Sequence, residues 1–340
     1  MKKMFIIAAC AASFAGLVSC SDVEPSSMSE KNCTITLSMG GDIATITTKS
    51  SDTTDEVWDN LVSSVQYFVY TVDGETLTFY GKETETSSSK KSINCVPGSY
   101  KIYALVNGAP LAEPTVAQLE SAAITLSANT KTKGFVMFGS NDVKIEEGNK
   151  NCLIPVKRHL SRINLVSVKN STSKDGGDTI VVFKYAFLSN VVANQKNDGS
   201  ATISAWDNLA GRKGGSIVTA SNVDDGELTL YCPSSSVNIA VGETEPFGQK
   251  FYCYPNSTAE DSFGASAESG KTRLVVVCEV EGKDYYYPVT LDAPQRSTSY
   301  DVKLSILGIG SDDPNILVNK AGMTFSVDPW ESGTEYTEEY

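Results

Sequence analysis

Val65-Gln66-Tyr67-Phe68-Val69-Tyr70-Thr71-Val72-Asp73-Gly74 is the stretch on which the fold class turns. A run of β-branched and aromatic side chains ends in Asp-Gly, and residues 76–80 return beyond it. Such side chains suit a pleated, half-covered surface, and Asp-Gly accepts the positive φ that a tight hairpin needs. The same grammar recurs on both sides. Residues 92–96 lead through Pro97-Gly98 into Tyr100-Lys101-Ile102-Tyr103-Ala104-Leu105-Val106. Further strands are predicted at 134–138, 151–156, 162–169 and 180–192. In the second half they fall at 227–231, 236–241, 250–254, 272–280, 285–291, 300–307 and 323–327. One helix is expected, opened by Pro114-Thr115, with Val116, Leu119, Ala122 and Ala123 at helical spacing. Short strands divided by turn signals at this spacing predict an all-β chain of sandwiches. No repeat of 20–50 residues and no heptads are visible.

Length and charge narrow the reading. A chain of 340 residues suggests two domains. The densest basic cluster, Lys157-Arg158-His159-Leu160-Ser161-Arg162, lies between two strand patterns and marks the expected boundary. Residues 86–91, 175–177 and 211–215 read as exposed loops. The chain carries 41 acidic against 28 basic side chains, net −13. That sign disfavours nucleic acid and anionic membrane surfaces as partners.

The first residues carry an address. Lys2 and Lys3 precede an apolar run through Gly16, too short to span a bilayer, and Leu17-Val18-Ser19-Cys20 follows. The ending resembles the bacterial lipobox, in which cleavage leaves Cys20 as a lipid-modified, palmitate-bearing N-terminus. Beyond it, Ile35, Leu37 and Met39 alternate, so all three face one side of a strand. A polar run, Thr45 to Ser51, then contains Lys49 and Ser50, a suitable site for proteolytic cutting.

Catalytic chemistry finds little foothold. His159 is the only histidine, so any Ser-His-Asp or Cys-His arrangement depends on it, and its basic neighbours disfavour the imidazolium a general base becomes. Zinc sites built on histidine pairs are excluded by count. The acidic pairs Asp224-Asp225, Asp312-Asp313 and Glu338-Glu339 read as solvated loop charge, and residues 310–315 as a turn rather than a calcium loop. Gly308-Ile309-Gly310 lacks the third glycine of a dinucleotide site. No cofactor is expected. Cys33, Cys95, Cys152, Cys232, Cys253 and Cys278 contain no C-x-x-C pair, and they read as small buried hydrophobes with their disulfide pairing left open.

Several stretches together resemble the fimbrillin family, the type V pilins. They are Asn32-Cys33-Thr34-Ile35-Thr36-Leu37-Ser38-Met39 with the polar stretch to Ser50, the Tyr100–Gly108 strand after Pro97-Gly98, and the basic 157–168 segment. Residues 251–256 and 282–289 also match, as does Tyr300-Asp301-Val302-Lys303-Leu304-Ser305-Ile306-Leu307-Gly308-Ile309-Gly310 with Pro314 and Trp330 beyond. The resemblance implies two transthyretin-like β-sandwich domains in tandem. The signal peptide would span 1–19, a pro-segment with a removable strand (Ile35, Leu37, Met39) 20–49, and the domains 50–158 and 159–340.

It also implies a lipid-anchored precursor at the outer membrane and cleavage between Lys49 and Ser50 by a trypsin-like protease; the family's usual arginine is lysine here. A neighbouring pilin subunit would then supply its C-terminal donor segment, with Tyr336 and Tyr340 on one face, to build an extracellular fimbrium that binds a host or bacterial surface receptor. The expected function is a non-enzymatic fimbrial subunit supporting adhesion. The alternatives are a tip or anchor pilin, or a surface lipoprotein that stacks glycans on aromatic clusters such as Tyr285-Tyr286-Tyr287.

Overall fold

Alternation in the sequence becomes burial in the computed structural model, which describes residues 33–41, 57–86, 90–172, 180–200, 203, 205–259, 261–317 and 321–329. The first half contains β1 (Cys33–Gly41), β2 (Val65–Asp73), β3 (Thr76–Glu85), β4 (Lys91–Cys95), β5 (Gly98–Val106), β6 (Ala123–Thr125), β7 (Met137–Ile145) and β8 (Asn149–Arg158). Seven of these form one sheet in the order β3-β2-β5-β7-β8-β1-β4. Its alternate residues enclose a single core. Ile35 and Leu37 of β1 meet Tyr67 and Val69 of β2, Ile93 of β4, Ile102 of β5, and Ile154 and Val156 of β8. The sheet therefore curls into a sandwich, and its two edges touch. Tyr80 of β3 donates its hydroxyl to the carbonyl of Asn94 in β4 at 3.3 Å, and Lys91 pairs with Glu85 at 2.8 Å. Closure of this kind protects edge strands that would otherwise template aggregation.

The deciding hairpin is confirmed in detail. β2 and β3 pair antiparallel with Asp73 opposite Thr76, and Gly74 carries φ +58 at the first central position of the turn. β2 is apolar on both faces because both are covered. Val65, Tyr67 and Val69 fill the curled sheet, while Phe68 and Tyr70 face outward into a second, larger core. That outer face is roofed by the excursion between β5 and β7, which includes helix α1 (Val116–Ser121). Thr115 and Gln118 form a reciprocal capping box at its start, as the Pro114-Thr115 signal anticipates. Gly139 in β7 is a necessity of packing: a Cβ there would lie 1.8 Å from the carbonyl oxygen of Pro155 in β8.

The second half begins with β9 (Ser161–Asn170), β10 (Val181–Ser189), β11 (Val191–Val192), β12 (Asn194–Lys196), β13 (Trp206–Asp207), β14 (Arg212–Lys213) and β15 (Ser216–Ile217). It continues with β16 (Leu230–Tyr231), β17 (Val237–Ile239), β18 (Thr244–Cys253), β19 (Arg273–Val280), β20 (Lys283–Thr290), β21 (Thr298–Ile306) and β22 (Ala321–Pro329). One sheet runs β18-β9-β21-β22; the other runs β16-β10-β19-β20, with β17 also on β10. Ile163 and Leu165 from the first meet Phe183, Leu188 and Val276 from the second inside the larger core. The repetition absent from the sequence is present in topology. β9 lies between an antiparallel β18 and a parallel β21, just as β1 lies between an antiparallel β4 and a parallel β8.

Two expectations are corrected. Residues 227–231 are not one strand: Gly226–Thr229 forms the short helix α2, and only Leu230–Tyr231 extends. Residues 211–215 are not an open loop, because Gly214 and Gly215, both at positive φ, close a tight β14–β15 hairpin. The basic cluster before β9 sends its two arginines inward. Arg158 and Arg162 are buried around Asp59, which the 3-10 turn Val57–Asn60 carries from the first sandwich to the second. Asp59 accepts from Arg162 at 3.1 Å and from the Tyr252 hydroxyl at 2.7 Å, and its carbonyl accepts from Arg158 Nε at 2.9 Å.

Candidate functional site

The strand that the resemblance implies to be removable occupies a slot inside the first sheet. β1 runs parallel to β8 from Thr34 opposite Asn149 to Gly41 opposite Val156, and antiparallel to β4 from Cys33 opposite Cys95 to Leu37 opposite Lys91. Among the described residues, β4 has no other main-chain ladder partner, and β8 keeps only a three-pair contact with β7 at its far end. β1 therefore holds β4 to the sheet. Cys33, Ile35 and Leu37 are fully buried, and Met39 packs against the same core from a partly buried position. Thr34 and Thr36 point away and bond Asn94 and Ser92 across the outer surface at 3.3 Å.

That geometry sets what the slot can do chemically. Withdrawing β1 would expose two rows of backbone donors and acceptors together with a lining of Ile93, Cys152, Ile154 and Val156. Burial of the three alternating side chains is worth about 5–9 kcal/mol as an upper bound, comparable with the roughly 5–15 kcal/mol stability of a domain. An emptied slot would leave those main-chain groups and apolar side chains without partners. Cys20, Lys49, Ser50, Tyr336 and Tyr340 lie outside the described residues.

The other candidate groups are buried or paired within the fold. His159 is fully buried with neither ring nitrogen hydrogen-bonded, and burial, followed by the nearby Arg296 charge, holds it well below its ordinary pKa. In the 310–315 turn, Asp313 pairs with Arg212 at 2.7 Å and Asp312 with Lys283 at 2.6 Å. No group of three or more His, Cys, Asp or Glu among the described residues has the geometry to hold a metal ion. Tyr285-Tyr286-Tyr287 offers no common aromatic platform. Tyr287 is buried and Tyr285 packs with it against the larger core, while Tyr286 turns to a separate cluster around Phe187 and Val218. Five of the six cysteines are buried, and Cys232 is exposed.

Sequence reading missed an acidic knot. Asp207, half-buried, is pushed up to about 7, first by burial and then by Asp225, with Asp224 adding to the repulsion and Lys213 opposing it. Asp225 is raised as well, again mainly by burial. Between about pH 4 and 7 the folded state keeps a proton that the unfolded chain releases, so stability falls as pH rises through that window. Asp207→Asn is expected to match the parent near pH 4, where that loss begins, and to melt about 2–4 °C higher at pH 8. Equal melting shifts at both pH values in a thermal scan would overturn this.

Fimbrilin from Porphyromonas gingivalis matches with a TM-score of 0.60 at 15% identity, over 88% of this chain and 98% of that one. The chain has the fold of fimbrilin. A candidate cell adhesion protein from Bacteroides eggerthii matches with a TM-score of 0.60 at 18% identity, over 88% of this chain and 96% of that one. Another from Parabacteroides distasonis matches at 0.56 and 15%, over 88% and 99%. No family model and no curated protein sequence matches the chain. The resemblance read in the sequence is thus met by an all-β, fimbrillin-like architecture.

Proposed function

We propose that this chain is a pilin, a non-enzymatic structural subunit of a cell-surface fimbria that supports adhesion. The single observation that carries the reading is the position of β1. An N-terminal strand of alternating apolar residues fills a slot between β4 and β8 and provides β4 with its main-chain pairing. In this reading the precursor is exported as a lipoprotein through Cys20 and held at the outer membrane. A trypsin-like protease cuts between Lys49 and Ser50, β1 departs, and the C-terminal segment of a neighbouring subunit, with Tyr336 and Tyr340, takes its place. Main-chain bonds along β4 and β8 supply affinity, and the pockets left by Ile35, Leu37 and Met39 set register. The glycan-stacking alternative loses its platform because Tyr286 faces away from Tyr285 and Tyr287.

Limited trypsin treatment tests the proposal. Cutting the leaderless chain after Lys49, under reducing conditions, is expected to yield oligomers by size-exclusion chromatography, with the uncut chain remaining monomeric. Deleting residues 334–340 should remove donor capacity while leaving the slot able to accept. A cut protein that stays folded and monomeric at high concentration would refute strand exchange.

A further inference from the structure

Of the six cysteines beyond Cys20, only Cys33 and Cys95 are partners on a strand ladder, and they sit across the boundary between β1 and β4. Directly opposed residues on antiparallel strands have Cα atoms about 4.5 or 5.5 Å apart, within the roughly 4.4–6.8 Å span a disulfide bridges. Both side chains point into the same core, beside Ile35 and Ile93. Each is a free thiol in the structure, at 0% and 4% exposure. Cys152 cannot compete for Cys33. It lies opposite Leu37, four residues further along the strand, or roughly 13 Å away.

We propose that Cys33 and Cys95 form a disulfide that ties the removable strand to β4, so that a cut chain keeps its own strand until the bond is reduced. The bond forms by thiol–disulfide exchange. The two thiols give up two protons and two electrons to a disulfide-bearing oxidant of the export compartment, whose own S–S bond breaks to two thiols. Release is the reverse step, with a dithiol reductant supplying the electrons. Burial, and then the neighbouring Cys33, raise the Cys95 thiol above its ordinary range, which suppresses the reactive thiolate. Oxidation therefore belongs to folding, before β1 is fully docked, and the finished bond is shielded from solvent. The bond stands on the register alone, whereas its role as a lock on subunit assembly rests on the pilin reading above.

The sequence offers a direct assay. Trypsin sites at Lys31, Lys49, Lys91 and Lys101 place Cys33 in peptide 32–49 and Cys95 in peptide 92–101, each holding one cysteine. The full chain, exported through an oxidising compartment, is unfolded without reductant, alkylated with iodoacetamide and digested. The expected product is the 32–49/92–101 pair as one species, which separates on treatment with tris(2-carboxyethyl)phosphine. Full alkylation of both cysteines before reduction overturns the proposal.

A second measurement follows the folded, trypsin-cut protein, in which fragment 32–49 should co-elute with the body until reductant is added. Cys95→Ser should lose the fragment without reductant. Loss of the fragment from the unreduced parent overturns the lock. A linked peptide together with a cut, reduced protein that stays monomeric supports the disulfide and refutes strand exchange. Absence of the linked peptide with oligomers forming freely does the reverse.

Discussion

Replacing Ile35 and Leu37 together with alanine is expected to undock β1 and to destabilise the first sandwich by about 4–10 kcal/mol, since each buried large-to-small change costs about 2–5 kcal/mol. Both side chains are fully buried in the core lined by β1, β2, β4, β5, β7 and β8. A loss of this size rivals the whole stability of a domain, so the first sandwich should open at low denaturant. Hydrogen exchange in β4 should rise with it, because β4 depends on β1 for its ladder. The contrast lies on the other face of the same strand. Thr36→Ala touches only an outward contact with Ser92 and should change stability by less than about 1 kcal/mol. Urea melts of the two variants check the pair. If the double alanine variant also falls within about 1 kcal/mol of the parent, β1 does not hold the sheet as described.

Asp59→Ala should have the second largest effect, about 3–5 kcal/mol, because removing one member of a buried ion pair strands its partner charge. The Arg162 and Asp59 side chains are 8% and 0% exposed, and the same carboxylate accepts from Tyr252. These contacts join the turn before β2 to β9 and β18, so their loss should uncouple the two sandwiches. A single calorimetric transition is expected to split into two. Arg162→Met combined with Asp59→Ala should recover part of the loss, since the charge is then gone. No recovery in that double-mutant cycle would show that shape, rather than charge, is what Asp59 contributes.

The acidic knot and the Asp59 clamp share a reason for escaping sequence reading. Each is built from residues distant in the chain, with Asp59 reaching Arg162 and Tyr252 and Asp207 reaching Asp225. Local periodicity reports which face of an element is apolar, not which polar side chain arrives opposite. The basic cluster at 157–162 illustrates this. Sequence marks it only as a boundary between two strand patterns, whereas the arrival of Asp59 makes burial of Arg158 and Arg162 tolerable. Residues 227–231 failed for a different reason. Their apolar content suits a strand, but Asp225 at φ +45 starts a helical turn beneath β18.

By itself the sequence determined the elements and their class. The Val65–Gly74 hairpin, the Pro97-Gly98 turn, the Thr115 cap and the alternation of Ile35, Leu37 and Met39 are local signals, because backbone preference and side-chain period act over a few residues. Tertiary structure alone decided that β1 is an inner strand between β4 and β8 rather than an edge, that β2 is covered on both faces, and that Cys33 meets Cys95. Those facts depend on pairing across some sixty to more than a hundred residues. That pairing is selected by how well whole apolar faces close on one another, and no short stretch of sequence contains it.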